Sequence, residues 1–529
     1  MKKIKRRPVK IDTSNQMWLF ADALAGEVRD EPAQVQCAVQ FIDPNPRTIR
    51  INEVPLESHL KQCKQNDVFN MRALLEAVSF AEFEADYSPV GRRPYAPRAM
   101  IGLILFGIMR GQSSLRDLER LARTDLAVWW LTGGIAPDHS IIGRFIKRHD
   151  AYLTEKFFSE LTAKVLVATG SSTKTVAGDG TVVEAAASRF GTVRREALEL
   201  ALKEARGKVA AAPDDQDGQA VVSRLEKASE QLKEREEARQ ARGREAEKTC
   251  IQPMEPDAVI QPQKDKKNFR ASYKPQVLAN AARVIVACDV HASSETKPVG
   301  ALLDQAAALG KVETALFDAG YFNDEVIQAT AERTIELLCP QGQSEGENWD
   351  KQSDKQFPKN RFVFDPASNT YRCPQGELLT QVGVNKGQQP HVKYGTTACG
   401  QCPLRAKCTT SKKRGRQIKR YPGDGAKDAL RAKMTDPDVR KRYRSRQAMV
   451  EPVFSHLRGR HGLNRFRRSG LAAVRLEFAL HAMAYNLSRV LALGRFDLLP
   501  TLLAALRLIA GFLTPFLPRP PKHMTNVLK

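Results

Sequence analysis

Hydrophobic positions recur with two different periods, which divide the chain into a helical part and a mixed part. Over residues 42–165 they recur every three to four residues, which predicts amphipathic helices around one continuously apolar helix from Pro97 to Gly111. After Thr173 short apolar runs alternate with helical patterns, which predicts an α/β core. The predicted strands are 173–179, 282–290, 314–322 and 333–340.

The length of the chain suggests two to four domains, at about 150 residues per domain. Two segments interrupt the mixed part. Residues 192–248 are charge-dense with a helical pattern, which fits a charged helical hairpin or a solvated spacer. Residues 343–423 are rich in Lys, Gly, Gln and Cys. The predicted organisation is a basic N-terminal tail 1–41, a helical N-terminal domain 42–165, a first part of the α/β core 166–342 that contains the charged helical insert 192–248, a Cys-containing insert 343–423, a second part of the core 424–495, and a C-terminal apolar helix and tail 496–529.

Two short amphipathic helices in the helical domain could form a DNA-reading motif. They cover 114–123 and 140–149, a Gly-containing segment joins them, and the second carries Arg and Lys. This arrangement is typical of a helix-turn-helix. A helical packing domain with solvated charges explains the same pattern. Asp138 or Ser140 suits the N-cap of the second helix.

The charge balance adds a partner to this picture. The chain has 83 Lys and Arg residues against 60 Asp and Glu residues, a formal net charge of +23. Such a chain favours an anionic polymer, and nucleic acid is the expected partner. No membrane is expected, because two prolines and an arginine interrupt the apolar run 498–517. No apolar segment follows the basic N-terminus, so we expect a cytoplasmic protein with reduced thiols.

Two aspartates share a setting that suits a metal site. Asp179 in "VAGDGT" and Asp318 in "LFDAG" each end an apolar strand and precede a small residue. Ligands bind at the carboxyl ends of strands in α/β sheets, so these two side chains can converge. Glu184 could support the site from the next strand, and Asp289 also ends a strand, but both rank below this pair.

A third carboxylate is expected, because two bind a divalent ion weakly. Residues 440–468 contain ten Arg or Lys residues and one acid, Glu451. Arg444, Glu451 and Arg458 are seven residues apart and would lie on one helical stripe. Pro452 disfavours helical geometry at Glu451, which predicts a kink or a helix that begins there. His456 and His461 receive no role.

These residues resemble a known family. "AGDGT", "DAGY" and "YRSRQAMVEPVFSHLRGRHGL" are similar to the three acidic motifs of bacterial insertion-sequence DDE transposases, most of all the insertion sequence eleven-eighty-two type. The resemblance covers most of the chain, including "YSPVGRRPYAPRAM" and "WWLTGGIAPDHSIIGRF" in the helical domain. It implies a ribonuclease-H-like mixed-sheet catalytic domain, and a protein that acts on the bacterial nucleoid.

The resemblance also implies a site and a reaction. Asp179, Asp318 and Glu451 would hold two Mg²⁺ ions, for which Mn²⁺ can substitute, and would cut DNA at the element's ends and join the freed 3′ ends to target DNA. Relatives carry a Tyr, Arg, Glu, Lys signature, in which Arg458 here replaces Lys and the Arg446-to-Glu451 spacing is looser. A homodimer or higher oligomer on DNA is expected. The residues assigned to DNA are Tyr443, Arg444, Arg446, Arg458, Arg465, Arg467 and Arg468.

Two questions stay open at the level of sequence. The cysteines of the second insert could bind Zn²⁺ through four thiolates, or could be reduced and merely packed. The alternatives to a transposase are a ribonuclease-H-like nuclease without strand transfer and a catalytically inactive DNA-binding regulator. The cysteines concerned are Cys373, Cys399, Cys402 and Cys408.

Overall fold

The computed structural model describes residues 39–263, 268–342, 356–387, 389–411 and 414–493. The predicted basic tail as far as residue 38 and the predicted C-terminal apolar helix lie outside these ranges.

The first described region is helical and is built around one buried helix. Helix α4 begins at Pro97, whose missing N–H is not needed at a helix start, and residues 99 to 108 are all buried. It packs against α6 and against the last described helix of the chain. The elements of this region are β1 Arg50–Ile51, β2 Val54–Pro55, α1 Leu56–Gln62, α2 Asp67–Glu76, α3 Ala81–Ala85, α4 Pro97–Met109, α5 Leu115–Thr124, α6 Leu126–Thr132, α7 His139–Arg148, α8 Asp150–Tyr152 and α9 Phe158–Thr169.

The pair of helices considered for DNA reading consists of α5 and α7, which pack on each other. Asp138 is the N-cap of α7, where its side chain accepts from the Ile141 N–H. The Gly-containing segment between the two helices contains a further helix, α6. Asp125 caps α6, and Gly133 at φ 74° ends it. The arrangement therefore departs from a simple helix-turn-helix.

The second region contains a mixed sheet with helices. Five of its strands run side by side in the order β7-β6-β3-β8-β9, and β6 is antiparallel to both of its neighbours, whereas β3, β8 and β9 are parallel. β4 and β5 pair with the first half of β6. The elements are β3 Thr175–Gly180, β4 Val183–Glu184, α10 Arg195–Ala211, α11 Gln216–Gln240, β5 Val259–Pro262, β6 Phe269–Asn280, β7 Ile285–His291, α12 Val299–Leu309, β8 Thr314–Leu316, α13 Asp324–Glu332 and β9 Glu336–Leu338.

This architecture confirms the predicted fold class. The chain is mixed α/β, and a five-stranded order with one antiparallel strand is consistent with a ribonuclease-H-like transposase fold. The sheet interior is apolar on both faces, as buried strands require. In the first interrupting segment α10 and α11 pack together around Leu198, Leu225 and Leu232.

The second interrupting segment forms a separate five-stranded antiparallel sheet. Its strands follow each other in order, and they cover a small core that includes Phe362, Tyr371 and Tyr394. The remaining elements are β10 Val363–Asp365, β11 Thr370–Arg372, β12 Leu378–Asn385, β13 His391–Gly395, α14 Arg405–Cys408, β14 Ile418–Arg420, α15 Asp424–Lys433, α16 Pro437–Gly459 and α17 Leu471–Leu493.

Helix α17 joins the two main regions. It packs against β7 on one side and against α4 and α9 on the other, and its residues from Val474 to Leu487 are almost all buried. No helix in the part of the chain that the structure describes is both long and apolar enough to cross a bilayer.

Helix α16 corrects the expectation for Pro452. The helix neither begins there nor ends there, since it runs without a break from Pro437 to Gly459. Proline has no N–H, so the carbonyl of Ala448, four residues earlier, loses its helical donor. The Arg283 Nε donates to that carbonyl at 2.9 Å. A side chain from another part of the sheet region therefore satisfies the acceptor that Pro452 leaves free.

Three histidines lie together where α16 and α17 meet. The Nε2 atoms of His456 and His461 are 3.2 Å apart, and the rings of His461 and His481 are 6.1 Å apart. Burial lowers the pKa of His461 to about 2 and that of His481 to about 3. Both imidazoles are therefore neutral in the folded protein at any ordinary pH.

These histidines predict a loss of stability in mild acid. An unfolded histidine takes up a proton near pH 6.5 and the two folded ones do not, so each costs about 1.4 kcal/mol of unfolding free energy per pH unit below 6.5. We expect the thermal unfolding temperature to decrease as the pH is lowered from 7 to 5, and to decrease less in His481→Phe. His139→Gln, which changes an exposed histidine, is the control. Equal pH dependence in all three proteins would contradict this assignment.

Candidate active site

Neighbouring strands bring Asp179 and Asp318 together. β3 and β8 are parallel and pair directly, with Ala177 opposite Leu316. Each aspartate stands two residues beyond this pair, so both side chains leave the sheet at the same edge. The Asp318 carboxylate also caps the short 3₁₀ turn that follows it, because its Oδ1 accepts from the Gly320 N–H at 2.8 Å.

A buried arginine bridges the two carboxylates. The Nη2 of Arg446, on α16, is 3.2 Å from Asp179 Oδ1 and 3.5 Å from Asp318 Oδ2. The same nitrogen donates to the Gly178 carbonyl at 3.1 Å. Tyr443 lies one turn earlier on α16; burial raises its pKa to about 12, and Asp318 and Asp179 contribute to that rise. One guanidinium thus supplies the positive charge that two adjacent carboxylates require.

Burial makes the ionised form of Asp179 costly. It raises the pKa of this carboxyl from 3.8 to about 6, against the opposing effect of Arg446, while Asp318 and Glu295 add smaller repulsions. The side chain is 22% exposed. At about 1.36 kcal/mol per pKa unit, the charge costs on the order of 3 kcal/mol at neutral pH. A bound cation would relieve this cost, which is typical of a binding site.

The backbone beside the aspartates leaves no room for a side chain. A Cβ at Gly178 would lie 2.0 Å from the Phe317 ring, so the close approach of β3 and β8 depends on glycine at this position. At Gly180 a Cβ would meet Gln276, Glu295 and Tyr321 at 3.2 to 3.3 Å, which is tight but not overlapping. A side chain at Gly178 would therefore overlap with Phe317, whereas a side chain at Gly180 would make only tight contacts.

Glu451 lies on the helix that carries Arg446, but it has not joined the two aspartates. Its side chain is exposed, and its carboxylate accepts from Gln447 Nε2 at 3.1 Å. The stripe predicted for Arg444, Glu451 and Arg458 exists, because α16 is continuous through all three positions. Arg458 donates from Nη2 to the Val182 carbonyl at 2.7 Å and to the Thr181 hydroxyl. Arg458 therefore contacts the loop that follows Asp179, whereas Arg444 and Glu451 are exposed to solvent.

The basic residues assigned to DNA divide into two groups. Arg446, Arg458 and Arg468 are turned inward, and burial lowers the pKa of Arg458 and of Arg468. Arg444, Arg465 and Arg467 are exposed; Arg465 Nε donates to the Ala185 carbonyl at 3.0 Å, and Arg467 Nε donates to the Ser113 hydroxyl at 3.1 Å. Their contact with DNA stays a prediction.

The sequence analysis did not identify two further polar residues near the aspartate pair, Glu295 and Tyr321. Glu295 forms an ion pair of 2.8 Å with Lys274, and its charge acts on both Asp179 and Tyr321. Tyr321 is buried, and its hydroxyl has no hydrogen-bond partner among the residues that the structure describes. One signal was present, because β7 is parallel to β3 and the loop after β7, which carries Glu295, must therefore reach the same sheet edge.

The acids that ranked lower have structural partners. Asp289 forms an ion pair of 2.9 Å with Arg475, and Glu184 forms one of 3.2 Å with Arg189. Neither carboxylate contributes to the electrostatic surroundings of Asp179. Both belong to the charge pairing of the surface.

The four cysteines of the second insert come close to one another. Cys373 and Cys408 pack against the same small core, and Arg405 donates to the Cys399 carbonyl at 2.7 Å. Burial raises the pKa of Cys408, and the other three cysteines raise it further. Within the described ranges, however, no three His, Cys, Asp or Glu side chains stand in an arrangement ready to hold a metal ion.

Two parts of the chain match known protein families. Residues 372–491 match the family described as Transposase DDE domain, and residues 56–148 match the family described as Transposase domain (DUF772). The first match includes Glu451 and Arg446 but not the two aspartates. No curated protein has significant similarity to the chain.

Together with the mixed sheet, these matches support a transposase function for the chain. Both matches are typical of bacterial insertion-sequence transposases of the eleven-eighty-two type, the family that the three motifs indicated. Transposase families of this class act on DNA and use divalent metal ions.

The cost of ionising Asp179 leads to a prediction for Asp179→Asn. Asparagine has the same shape and no charge, so we expect this variant to be more stable than the unmodified protein at pH 8, by about 1–3 kcal/mol. The folded pKa is raised above its ordinary value, so the cost is absent in acid and appears as pH rises through about 6. The gain should therefore vanish by about pH 4. Denaturant unfolding at both pH values measures it.

The control for this prediction is Asp289→Asn, which removes a carboxylate already paired with Arg475. We expect no gain in stability from this change. A gain for Asp179→Asn that is the same at pH 4 and pH 8 would show that charge is not its cause.

Proposed function

We propose that the chain cuts DNA at the ends of an insertion sequence and joins the freed 3′ ends to target DNA. The observation that carries the proposal is the convergence of Asp179 and Asp318 at the ends of two paired parallel strands, with Arg446 between them. Such a pair of carboxylates is costly in the free protein, as the raised pKa of Asp179 indicates. The match to a DDE domain supports the same chemistry.

We propose that Asp179, Asp318 and Glu451 hold two Mg²⁺ ions, for which Mn²⁺ can substitute. Oxygen ligands of this kind suit Mg²⁺, and the positive charge of Arg446 already occupies the place between two of them. When bound, the ions would supply Lewis acidity to the attacking water and to the leaving oxygen. Glu451 is included because it lies on the helix that carries Arg446 and within the residues that match the DDE domain.

The protein groups around the site would hold the DNA strand in place. The two aspartates fix the edge at which the scissile phosphate lies, because the sheet holds both backbones. Arg458 fixes the loop at Thr181 and Val182, so that loop cannot swing into the path of the strand. Arg444 is exposed on the same stripe and would contact a phosphate. Positioning of this kind is the main contribution of a protein to phosphoryl transfer.

We also propose that two or more chains act together. Two element ends must be joined to one target site, and one set of three carboxylates can act on one end at a time. The assembly on DNA would therefore contain at least a dimer.

The isosteric variants Asp179→Asn, Asp318→Asn and Glu451→Gln test the catalytic proposal. With a supercoiled plasmid that carries the coding sequence and its genomic flanks, we expect each to lower Mg²⁺-dependent nicking and joining by at least about a hundredfold, because each removes a charge that a metal ion needs. Binding of the same DNA should persist. Asp289→Asn and Glu184→Gln are controls of matched chemistry and should keep activity.

The products separate the alternatives. Nicked DNA without joined target DNA in the unmodified protein would indicate a ribonuclease-H-like nuclease. DNA binding without any cleavage would indicate an inactive DNA-binding regulator. Full activity in Glu451→Gln would remove Glu451 from the site while leaving the two aspartates.

For the second insert we propose that Cys373, Cys399, Cys402 and Cys408 bind one Zn²⁺ ion. The first of these follows β11 and the second follows β13, and these two strands are parallel because each is antiparallel to β12. Their ends meet at one edge of the small sheet, and Cys408 packs against the same core as Cys373. Four thiolates are a common ligand set for structural zinc.

Metal analysis of the purified full-length protein tests the zinc proposal. We expect about one zinc per chain, and about none in Cys402→Ser, because a tetrahedral site needs all four ligands. Cys63→Ser, which changes an exposed cysteine of the helical region, should keep the metal. Four freely titrating thiols in a metal-free unmodified protein would show that these cysteines are only packed.

A further inference from the structure

A basic groove opens on the helical region, far along the chain from the aspartates. It is a cavity of about 680 Å³ between α7 and the segment 87–95. Its wall is fixed by backbone hydrogen bonds, from the Ile42 N–H to the Pro94 carbonyl at 2.7 Å and from the Ala96 N–H to the Ile42 carbonyl at 3.1 Å. The residues that line this basic groove are Ile42, Tyr87, Arg92, Arg93, Pro94, Tyr95, Met100, Ile141, Arg144, Phe145, Lys147 and Arg148.

All the charged residues that line the basic groove are positively charged. Five of its lining residues are Arg or Lys, and none is Asp or Glu. The five are exposed, and none forms an ion pair with a carboxylate in the described part of the chain. They stand on two sides, two in the segment before Pro94 and three on α7 at positions 144, 147 and 148, which share one helical face. An anionic ligand would therefore be held from both sides.

The floor of the basic groove is apolar and aromatic. Ile42, Tyr95, Met100 and Phe145 lie below the cations, and Phe145 is buried in the core. Tyr87 is held at the side, with its ring 5.5 Å from Phe41 and its hydroxyl 3.2 Å from His149 Nε2. The Arg148 guanidinium lies over the Tyr87 ring at 4.8 Å. A ligand that fits must present a flat apolar part as well as negative charge.

This combination discriminates between two forms of DNA. A duplex presents phosphates outward and keeps its bases stacked inside, so it would engage the five cations and leave the apolar floor empty. An unpaired strand presents both phosphates and base faces, and unpaired bases stack on aromatic side chains. The volume also lies in the range of pockets that enclose a ligand rather than of a flat contact surface.

We propose that the basic groove binds an unpaired nucleotide of a DNA strand, with its base against Tyr95 and the apolar floor and its flanking phosphates between Arg92, Arg144 and Lys147. The inference rests on the proposed function, because cleavage at an element's end is what would create unpaired strand ends. It adds a second DNA-binding site, which distinguishes unpaired from paired nucleotides and does not contact the phosphate that is cut.

Fluorescence anisotropy of the full-length protein in EDTA tests the proposal. The probes are one mixed-sequence duplex with a blunt end, the same duplex with an unpaired 3′ overhang, and the overhang strand alone. We expect tighter binding of the two probes that contain unpaired nucleotides. In Arg144→Gln/Lys147→Gln that preference should fall by about tenfold, whereas blunt-duplex binding should change only as much as in the control.

The control is Lys64→Gln/Arg116→Gln, which removes the same charge from exposed positions outside the basic groove that, like the groove cations, form no ion pair within the described residues. Tyr95→Leu supplies a second test, because it keeps the apolar volume and removes the aromatic face. We expect it to weaken overhang binding by about fivefold or more and to reduce quenching of a 2-aminopurine placed in the overhang. Blunt-duplex binding should stay unchanged in this variant.

Two results would overturn the proposal. One is an equal loss of blunt and overhang binding in Arg144→Gln/Lys147→Gln beyond the control, which would make the basic groove a general phosphate site. The other is unchanged overhang binding in both groove variants. The measurement needs no cleavage, so it can succeed if the catalytic proposal fails, and it can fail while nicking and joining of the plasmid are intact.

Discussion

The contact on which the site depends is the bridge that Arg446 makes between Asp179 and Asp318. Two carboxylates at one sheet edge repel each other, and burial adds to the cost of ionising Asp179. A guanidinium within 3.5 Å of both makes the arrangement tolerable without removing that cost. Arg446 therefore compensates the negative charge of this site only in part, and a bound cation would lower the remaining cost of ionising Asp179. In the proposed metal site, stability and metal binding would therefore be opposed at Asp179.

The rest of the fold can be understood as the support that this bridge needs. The pair forms only if β3 and β8 approach closely, and Gly178 permits this by leaving its space to the Phe317 ring. Arg446 reaches the pair only if α16 lies along β3, and the helix must stay intact through Pro452 to carry Glu451 and Arg458 as well. Arg283 supports that continuity, because its Nε donates to the Ala448 carbonyl, which Pro452 leaves without a helical donor. Contacts separated by more than a hundred residues thus fix one local geometry.

The sequence was informative where local rules decide the outcome. Apolar runs that end in an acid and a small residue placed Asp179 and Asp318 at strand ends. Glu295 lies in the loop after β7, and its approach to Asp179 follows from the parallel directions of β7 and β3, which the sequence pattern does not reveal. Local rules misled at Pro452, because the donor that rescues the helix is Arg283, which lies 165 positions away from Ala448. They misled again between α5 and α7, where the apolar α6 fills what looked like a connection. The position of Arg446 between the aspartates is a tertiary fact, which no pattern within α16 encodes.

The large positive charge of the chain does not act as one surface. Around α16 several arginines are used internally: Arg446 holds the aspartates, Arg458 holds the loop at Thr181, and Arg442 pairs with Glu336. In the helical region the five cations of the basic groove form no ion pair within the part of the chain that the structure describes, so they remain available to phosphate. A cation already paired contributes little to the affinity for DNA, because its counter-charge leaves no ion to release. We therefore expect the attraction to DNA to be strongest in the helical region, away from the paired aspartates, where several arginines are already engaged by other groups of the protein.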